Sequence, residues 1–170
     1  TFQEQRRAEW MAAQFREFGW EAKIDRAGNV VANRPGPKAV VEKGPLVVMT
    51  AHLDTVLAPR TAEDVTTTRD GRLNGPGVSD NGAGLAALLA IARAIDSSPV
   101  LSTAALPLAL VANVGEEGEG NLSGMRYICR GSGVGSRAAA FVVLDGPSTD
   151  HITTGALASR MVISASLWWK

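Results

Sequence analysis

Leu46-Val-Val-Met-Thr-Ala-His-Leu-Asp-Thr-Val56 carries the information that decides the architecture of this chain. It opens on an apolar run, Leu46 to Met49, and closes on His52 and Asp54. A nearly continuous apolar strand is the kind buried on both faces of an α/β sheet. Strand side chains alternate, so His52 and Asp54, two positions apart, share a side and can touch a common centre. Alone, such a pair is as readily a structural hydrogen-bonded pair. The pattern recurs, however. Leu106 to Val114 precedes Glu116 and Glu117, Ala139 to Leu144 precedes Asp145, and Asp80 stands in a Gly-rich turn. Ending a buried strand in an acid is costly unless the charge is compensated. Several carboxylates converging without a cation would also repel one another and raise their pKa values. One imidazole and several acids at strand ends are what a hydrolytic site with a divalent metal pair needs.

Outward from this stretch, helices and strands alternate. Phe2, Trp10, Met11, Phe15 and Phe18 are spaced for an amphipathic helix over 2–18, which Gly19 closes. Short strands are expected over Trp20–Asp25 and Asn29–Asn33, about the turn at 26–28, with a loop at Arg34–Pro37. The segment 57–72 is polar and weakly patterned. Asn74 to Gly84 is a Gly-rich loop leading into an Ala/Leu helix, Leu85–Ile95. Leu106–Asn113 reads as a second buried strand, Leu122–Arg130 as a helix and Ala139–Leu144 as a third such strand, with further strands at Ile152–Thr154 and Arg160–Ser166. The expected fold class is therefore α/β, with a mostly parallel or mixed central sheet and a site at strand C-terminal ends.

Composition removes several functions. The 170 residues suffice for one domain with a proper core. Seventeen basic against seventeen acidic residues leave no net charge, which speaks against nucleic-acid or membrane-surface binding. The most apolar stretch, Leu101 to Val114, is too short and too polar to cross a bilayer. The single cysteine, Cys129, excludes an internal disulfide framework and tilts the compartment toward the cytoplasm; on its helical pattern it is expected as a small buried residue. The chain begins at Thr1 inside a helical pattern, so the true N-terminus is expected upstream.

Each motif has a plainer reading. Gly75-Pro-Gly77 could cradle a phosphate, but the Gly-Lys-Ser/Thr ending of a P-loop is absent. Glu116-Glu117-Gly-Glu119 could be a solvated acidic turn, and Asp145-Gly-Pro147 a turn opener. Their joint occurrence at strand ends favours the metal.

TAHLDTV (50–56), NGPGVSDNGAGLAALL (74–89), ANVGEEGEGNLSGMRY (112–127) and VLDGP (143–147) are similar to successive motifs of the co-catalytic zinc exopeptidases and amidohydrolases. That group includes peptidase T, bacterial glutamate carboxypeptidase, the aminoacylases, acetylornithine deacetylase and succinyl-diaminopimelate desuccinylase. The resemblance implies a three-layer zinc-exopeptidase fold. It assigns His52 and Asp145 to one zinc, Asp80 as the bridge between two, and Glu117 to the other. Glu116 would be the general base. Asp54 would accept from the ring of His52, fixing its tautomer and raising its basicity. The Asp80–Asn81 peptide would be cis. The substrate would be a small peptide or N-acyl amino acid, and zinc the metal, although cobalt or manganese also suits mixed imidazole and carboxylate ligands.

The resemblance further implies parts not visible here: a second His for the Glu117 zinc, and a lid or dimerisation domain inserted near Ile152, which would make a homodimer. Residues 1–170 then correspond to a catalytic domain incomplete at its C-terminus, with unequal metal subsites, weak or absent turnover, and an uncovered sheet edge prone to association. The alternative is an inactive fragment that serves only as a metal-binding or interaction module. His151, beside Asp150, is expected as a surface residue.

Overall fold

A computed structural model describes residues 4–34, 44–56, 60–101, 107–131 and 133–145. Helix α1 spans Gln5–Glu17 and buries Ala8, Met11, Ala12 and Phe15. That spacing makes one stripe along a helix. Trp10, expected to join the stripe, is 55% exposed, because two alanines complete it instead. The helix ends as the sequence predicts: Gly19 is left-handed (φ 76). The Gly19 and Trp20 N–H groups donate back to Arg16 and Phe15 carbonyls, a closure that satisfies otherwise orphaned acceptors.

Strands β1 (Glu21–Ile24), β2 (Val30–Asn33) and β3 (Leu46–His52) follow. The described part of the weakly patterned stretch holds a 3-10 turn, Ala62–Asp64, and β4 (Thr66–Thr67), which forms a small hairpin with β5 (Leu73–Asn74) just beyond it. Then come α2 (Gly84–Ser97), β6 (Leu108–Asn113), α3 (Ser123–Arg130), a short α4 (Val134–Arg137) and β7 (Ala138–Val143). The expected strands over 152–154 and 160–166, and His151, lie outside the described residues.

The main sheet has the order β1-β2-β6-β3-β7. β1, β2 and β6 pair antiparallel, whereas β3 runs parallel to both β6 and β7. The sheet is thus mixed, and three adjacent parallel strands present their C-terminal ends at one edge. Its two faces are covered by different helices. Ala51, Leu53, Leu110 and Ala112 pack with α1 and α2. Val48, Ala109 and Val111 pack with Ile128 of α3 and Val134 of α4. This is the three-layer α/β architecture expected.

Two readings need correction. β7 is not a buried strand: Phe141, Val142 and Val143 are exposed, because among the described residues it has a neighbour on one side only. Cys129 is exposed rather than buried. The inward face of α3 is set by Gly124 and Ile128, and Cys129 lies one residue past it, toward solvent.

Val78–Ser97 is long and apolar enough to cross a membrane by length and composition alone. Its apolarity has another use. Leu85, Leu88, Ala92 and Ile95 recur at helical spacing and are buried against the sheet. The stretch is also interrupted by non-helical backbone at Asp80 and Asn81, whose connecting peptide is cis.

Candidate metal centre

The parallel register places His52 beside Asn113, so the segments leaving β3 and β6 depart together. His52 is 2% exposed. Its Nδ1 lies 2.8 Å from the main-chain carbonyl oxygen of Asp54. A carbonyl can only accept, so Nδ1 carries a proton, and in the neutral ring Nε2 is left as a lone pair. That Nε2 is buried without a hydrogen-bond partner. It stands 2.9 Å from Asp80 Oδ1, a close approach of two acceptors that lacks hydrogen-bonding geometry. Glu117 completes the cluster: one ligand atom from each of His52, Asp80 and Glu117 lies within 4.8 Å of the others. A lone pair and two carboxylates facing one another call for a metal cation or a proton between them. The donor set is therefore of the right chemistry for zinc.

Asp54 is 1% exposed and acts differently from the sequence expectation. Its carboxylate is 3.7 Å from His52 Nδ1, so the orienting hydrogen bond falls to its main chain. The two carboxylate oxygens instead accept from the N–H groups of Glu116 (3.0 Å) and Glu117 (2.9 Å). Burial alone would raise the Asp54 carboxyl, but the nearby imidazole and these donors hold it at about 2. Burial would likewise depress His52. The neighbouring Asp54, Glu116 and Asp145 carboxylates outweigh it and push the imidazole up to about 9. Without a metal, the site thus captures a proton.

Burial raises Glu116, the charge of His52 opposes the shift, and the Glu117 and Asp145 charges add to it. Burial and then the Asp80 carboxylate raise Glu117. Asp145 follows β7 at the same edge, is exposed, and influences His52 and Glu116 through its charge. The tight cluster among the described residues is therefore His52, Asp80 and Glu117, with Asp145 outside it.

Asn81, 2% exposed, was missed by motif reading. Its Nδ2 donates to the Leu144 carbonyl and its Oδ1 accepts from the Gly84 N–H, joining the Asp80 turn to the end of β7 and to the start of α2. The Thr55 hydroxyl also donates to the Asp80 carbonyl at 3.2 Å. An Asn shortly before an Ala/Leu helix was the available signal for Asn81.

Comparisons with known proteins bear on the family and the fold. The profile of peptidase family M28 matches residues 29–156. The chain belongs to peptidase family M28. No curated protein matches it significantly. Among solved structures it is similar to LapB from Legionella pneumophila, with TM-score 0.57 and 23% identity over 85% of this chain and 37% of that one. Human carnosine dipeptidase 1 has TM-score 0.59 and 15% identity, covering 85% and 33%. A protein assigned as a Zn-dependent exopeptidase from Bacteroides vulgatus has TM-score 0.54 and 18% identity, covering 96% and 60%. At these identities the likeness establishes the fold. The chain spans 33% to 60% of the length of these three structures. The resemblance drawn from the four motifs to co-catalytic zinc peptidases thus holds at the level of family and fold.

Proposed function

We propose that this chain is the metal-binding part of a zinc peptidase that cleaves a peptide or N-acyl amide bond in a small substrate. The observation that carries the proposal is His52 Nε2, a buried lone pair with no hydrogen-bond partner facing the carboxylates of Asp80 and Glu117. His52, Asp80 and Glu117 would hold zinc. Asp145, beside them at the sheet edge, would serve a second ion with Asp80 shared between the two. When bound, the metal supplies Lewis-acid polarisation and lowers the pKa of water toward neutrality.

The chain's own residues supply the rest. Asp80 is exposed, so the centre opens to solvent and a small substrate can reach it. The Glu116 carboxylate takes the proton of the attacking water and returns it to the leaving amine nitrogen, base and then acid. Burial raises its pKa, which makes it a stronger base at the first step, and the carboxylic acid so formed is still acidic enough to protonate the far more basic amine nitrogen at the second. Asp54 holds the main chain of both glutamates, from which Glu117 would reach the metal and Glu116 the water.

The competing reading, metal binding without turnover, is favoured by the single imidazole in the cluster among the described residues. One experiment separates them. Zinc content per chain is measured after dialysis, and release of amino acid from dipeptide and N-acetyl amino acid substrates is followed with and without chelator. Chelator-sensitive hydrolysis lost in Glu116→Gln, with zinc retained, supports the peptidase. Zinc retained with no hydrolysis supports the binding module, and no zinc in a folded chain defeats both.

A further inference from the structure

We infer that Asn29 is a positioning residue that clamps the neck of the loop carrying Glu116 and Glu117; its link to the metal rests on the reading above. Asn29 ends the turn between β1 and β2, is 0% exposed, and is distant in sequence from every residue of the centre. Its Oδ1 accepts from the Val114 N–H at 3.0 Å. Its Nδ2 donates to the Gly124 carbonyl at 3.1 Å and to Asp25 Oδ2 at 2.8 Å. An N–H only donates, whereas carbonyls and carboxylates only accept, so one orientation of the amide satisfies all three. An Asp would have no donors, a Leu no polar atoms, and a Ser could not span the gap.

Val114 and Gly124 are the two limbs of the neck. They meet through the Gly124 N–H donating to the Val114 carbonyl, and through the Ser123 N–H donating to the Gly115 carbonyl, both at 3.1 Å. A Cβ on Gly124 would fall 2.2 Å from Asn29 Oδ1 and 2.4 Å from the Val114 oxygen, so the clamp closes only on bare backbone. On the returning limb Asn121 and Leu122 are left-handed (φ 51 and 54), which side-chain-bearing residues adopt where the surroundings dictate it. The loop is therefore held twice. Asp54 pins the glutamate N–H groups from β3, and Asn29 pins the neck from the β1–β2 turn. Asp25 is a fixed anchor for this, its Oδ1 accepting from the Ala27 and Asn29 N–H groups.

The test compares Asn29→Asp, which removes both donors at constant shape, with Trp20→Phe. The latter removes the indole hydrogen bond to the Ala92 carbonyl and loosens the core away from the neck. Zn²⁺ is titrated calorimetrically into each metal-free chain, with far-UV circular dichroism as the control for folding. Asn29→Asp should bind Zn²⁺ about tenfold to a hundredfold more weakly while folded, Trp20→Phe as the parent does. The double variant Asp25→Asn/Asn29→Asp, in which residue 25 can donate back, should recover part of the loss. Undiminished Zn²⁺ affinity in folded Asn29→Asp, or an equal loss in Trp20→Phe, overturns the inference.

If Asn29→Asp does not fold, amide exchange on the parent decides. Zn²⁺ should slow the Ala27 and Asn29 amides together with segment 115–123, and protection confined to that segment overturns the clamp. If the parent takes up no Zn²⁺, the metal reading fails separately. The clamp is then judged on metal-free chains, where Asn29→Asp should speed exchange across 114–124 selectively; uniform acceleration overturns it.

Discussion

β3 and β7 lie side by side and in parallel, and each is an apolar run that leads to a residue able to bind metal. Their surroundings differ. β3 sits between β6 and β7, and His52 at its end is buried, oriented by one carbonyl and aimed at two carboxylates. β7 has one partner among the described residues, its side chains are exposed, and Asp145 beyond it is exposed too. The same sequence pattern thus produces a preorganised ligand in one place and a solvated charge in the other. The neighbour in the sheet makes the difference. A buried imidazole without a partner gains much from a cation, whereas an exposed carboxylate already has water.

The sharpest way to break this contrast is to remove the ligands. His52→Ala and Asp80→Ala should each lower zinc affinity by more than about a hundredfold, on the scale of losing a direct ligand rather than a supporting contact. Asp145→Ala should cost about tenfold or less for the first ion bound. Equilibrium dialysis against radioactive zinc measures all three, and equal losses would erase the distinction between the strand ends.

Core truncation extends the comparison to stability. Leu110→Ala in β6, at a fully buried site, should destabilise by about 2–5 kcal/mol in urea unfolding. Val143→Ala in β7, 61% exposed, should stay within about 0.5 kcal/mol. A large effect at Val143 would mean that β7 is covered in solution.

Titration refines the picture. In the metal-free chain His52 is raised to about 9, so its contribution to stability is fully present below its ordinary value of 6.5 and is lost as pH rises through about 9. Asp54 runs the other way. Held at about 2, it contributes above its ordinary value of 3.8 and that contribution disappears as pH falls through about 2. Zinc competes with the His52 proton, so its affinity should climb about tenfold per pH unit between the two His52 values, as expected when one proton leaves per ion bound. Calorimetry in buffers of different ionisation enthalpy counts that proton, and a flat profile would detach His52 from the metal. The smallest effect belongs to Cys129→Ser, which should change neither metal affinity nor stability by more than about 0.5 kcal/mol; thermal melts check it.

Much of the fold was legible because hydrophobic period and turn residues are local signals. The strand that opens at Leu46 and leads to His52 is legible and spans Leu46–His52, since a nearly continuous apolar run closing on His has one economical place in an α/β sheet. The expected helices over 85–95 and 122–130 appear as Gly84–Ser97 and Ser123–Arg130, ends shifting by one or two residues as helix ends do. What went astray depended on neighbours. Trp10 reads as a core residue until Ala8 and Ala12 are seen to fill the stripe. Ala139–Leu144 reads as a buried strand until its place at the edge of the described sheet is known.

The site divides along the same line. His52, Asp54, Asp80, Glu116, Glu117 and Asp145 could be nominated from sequence, because each follows an apolar run or sits in a Gly-rich turn and their residue types suit a divalent metal. That Asp54 uses its main chain on His52 and its carboxylate on the glutamate N–H groups, that Glu117 and not Asp145 closes the tight cluster, and that Asn29 and Asn81 tie the ligand loops to distant segments, belong to the tertiary structure alone. Sequence determines which groups are present and which strand they leave. Which lone pair meets which proton depends on distances of a few tenths of an ångström between segments far apart in the chain, and only the packed sheet sets those.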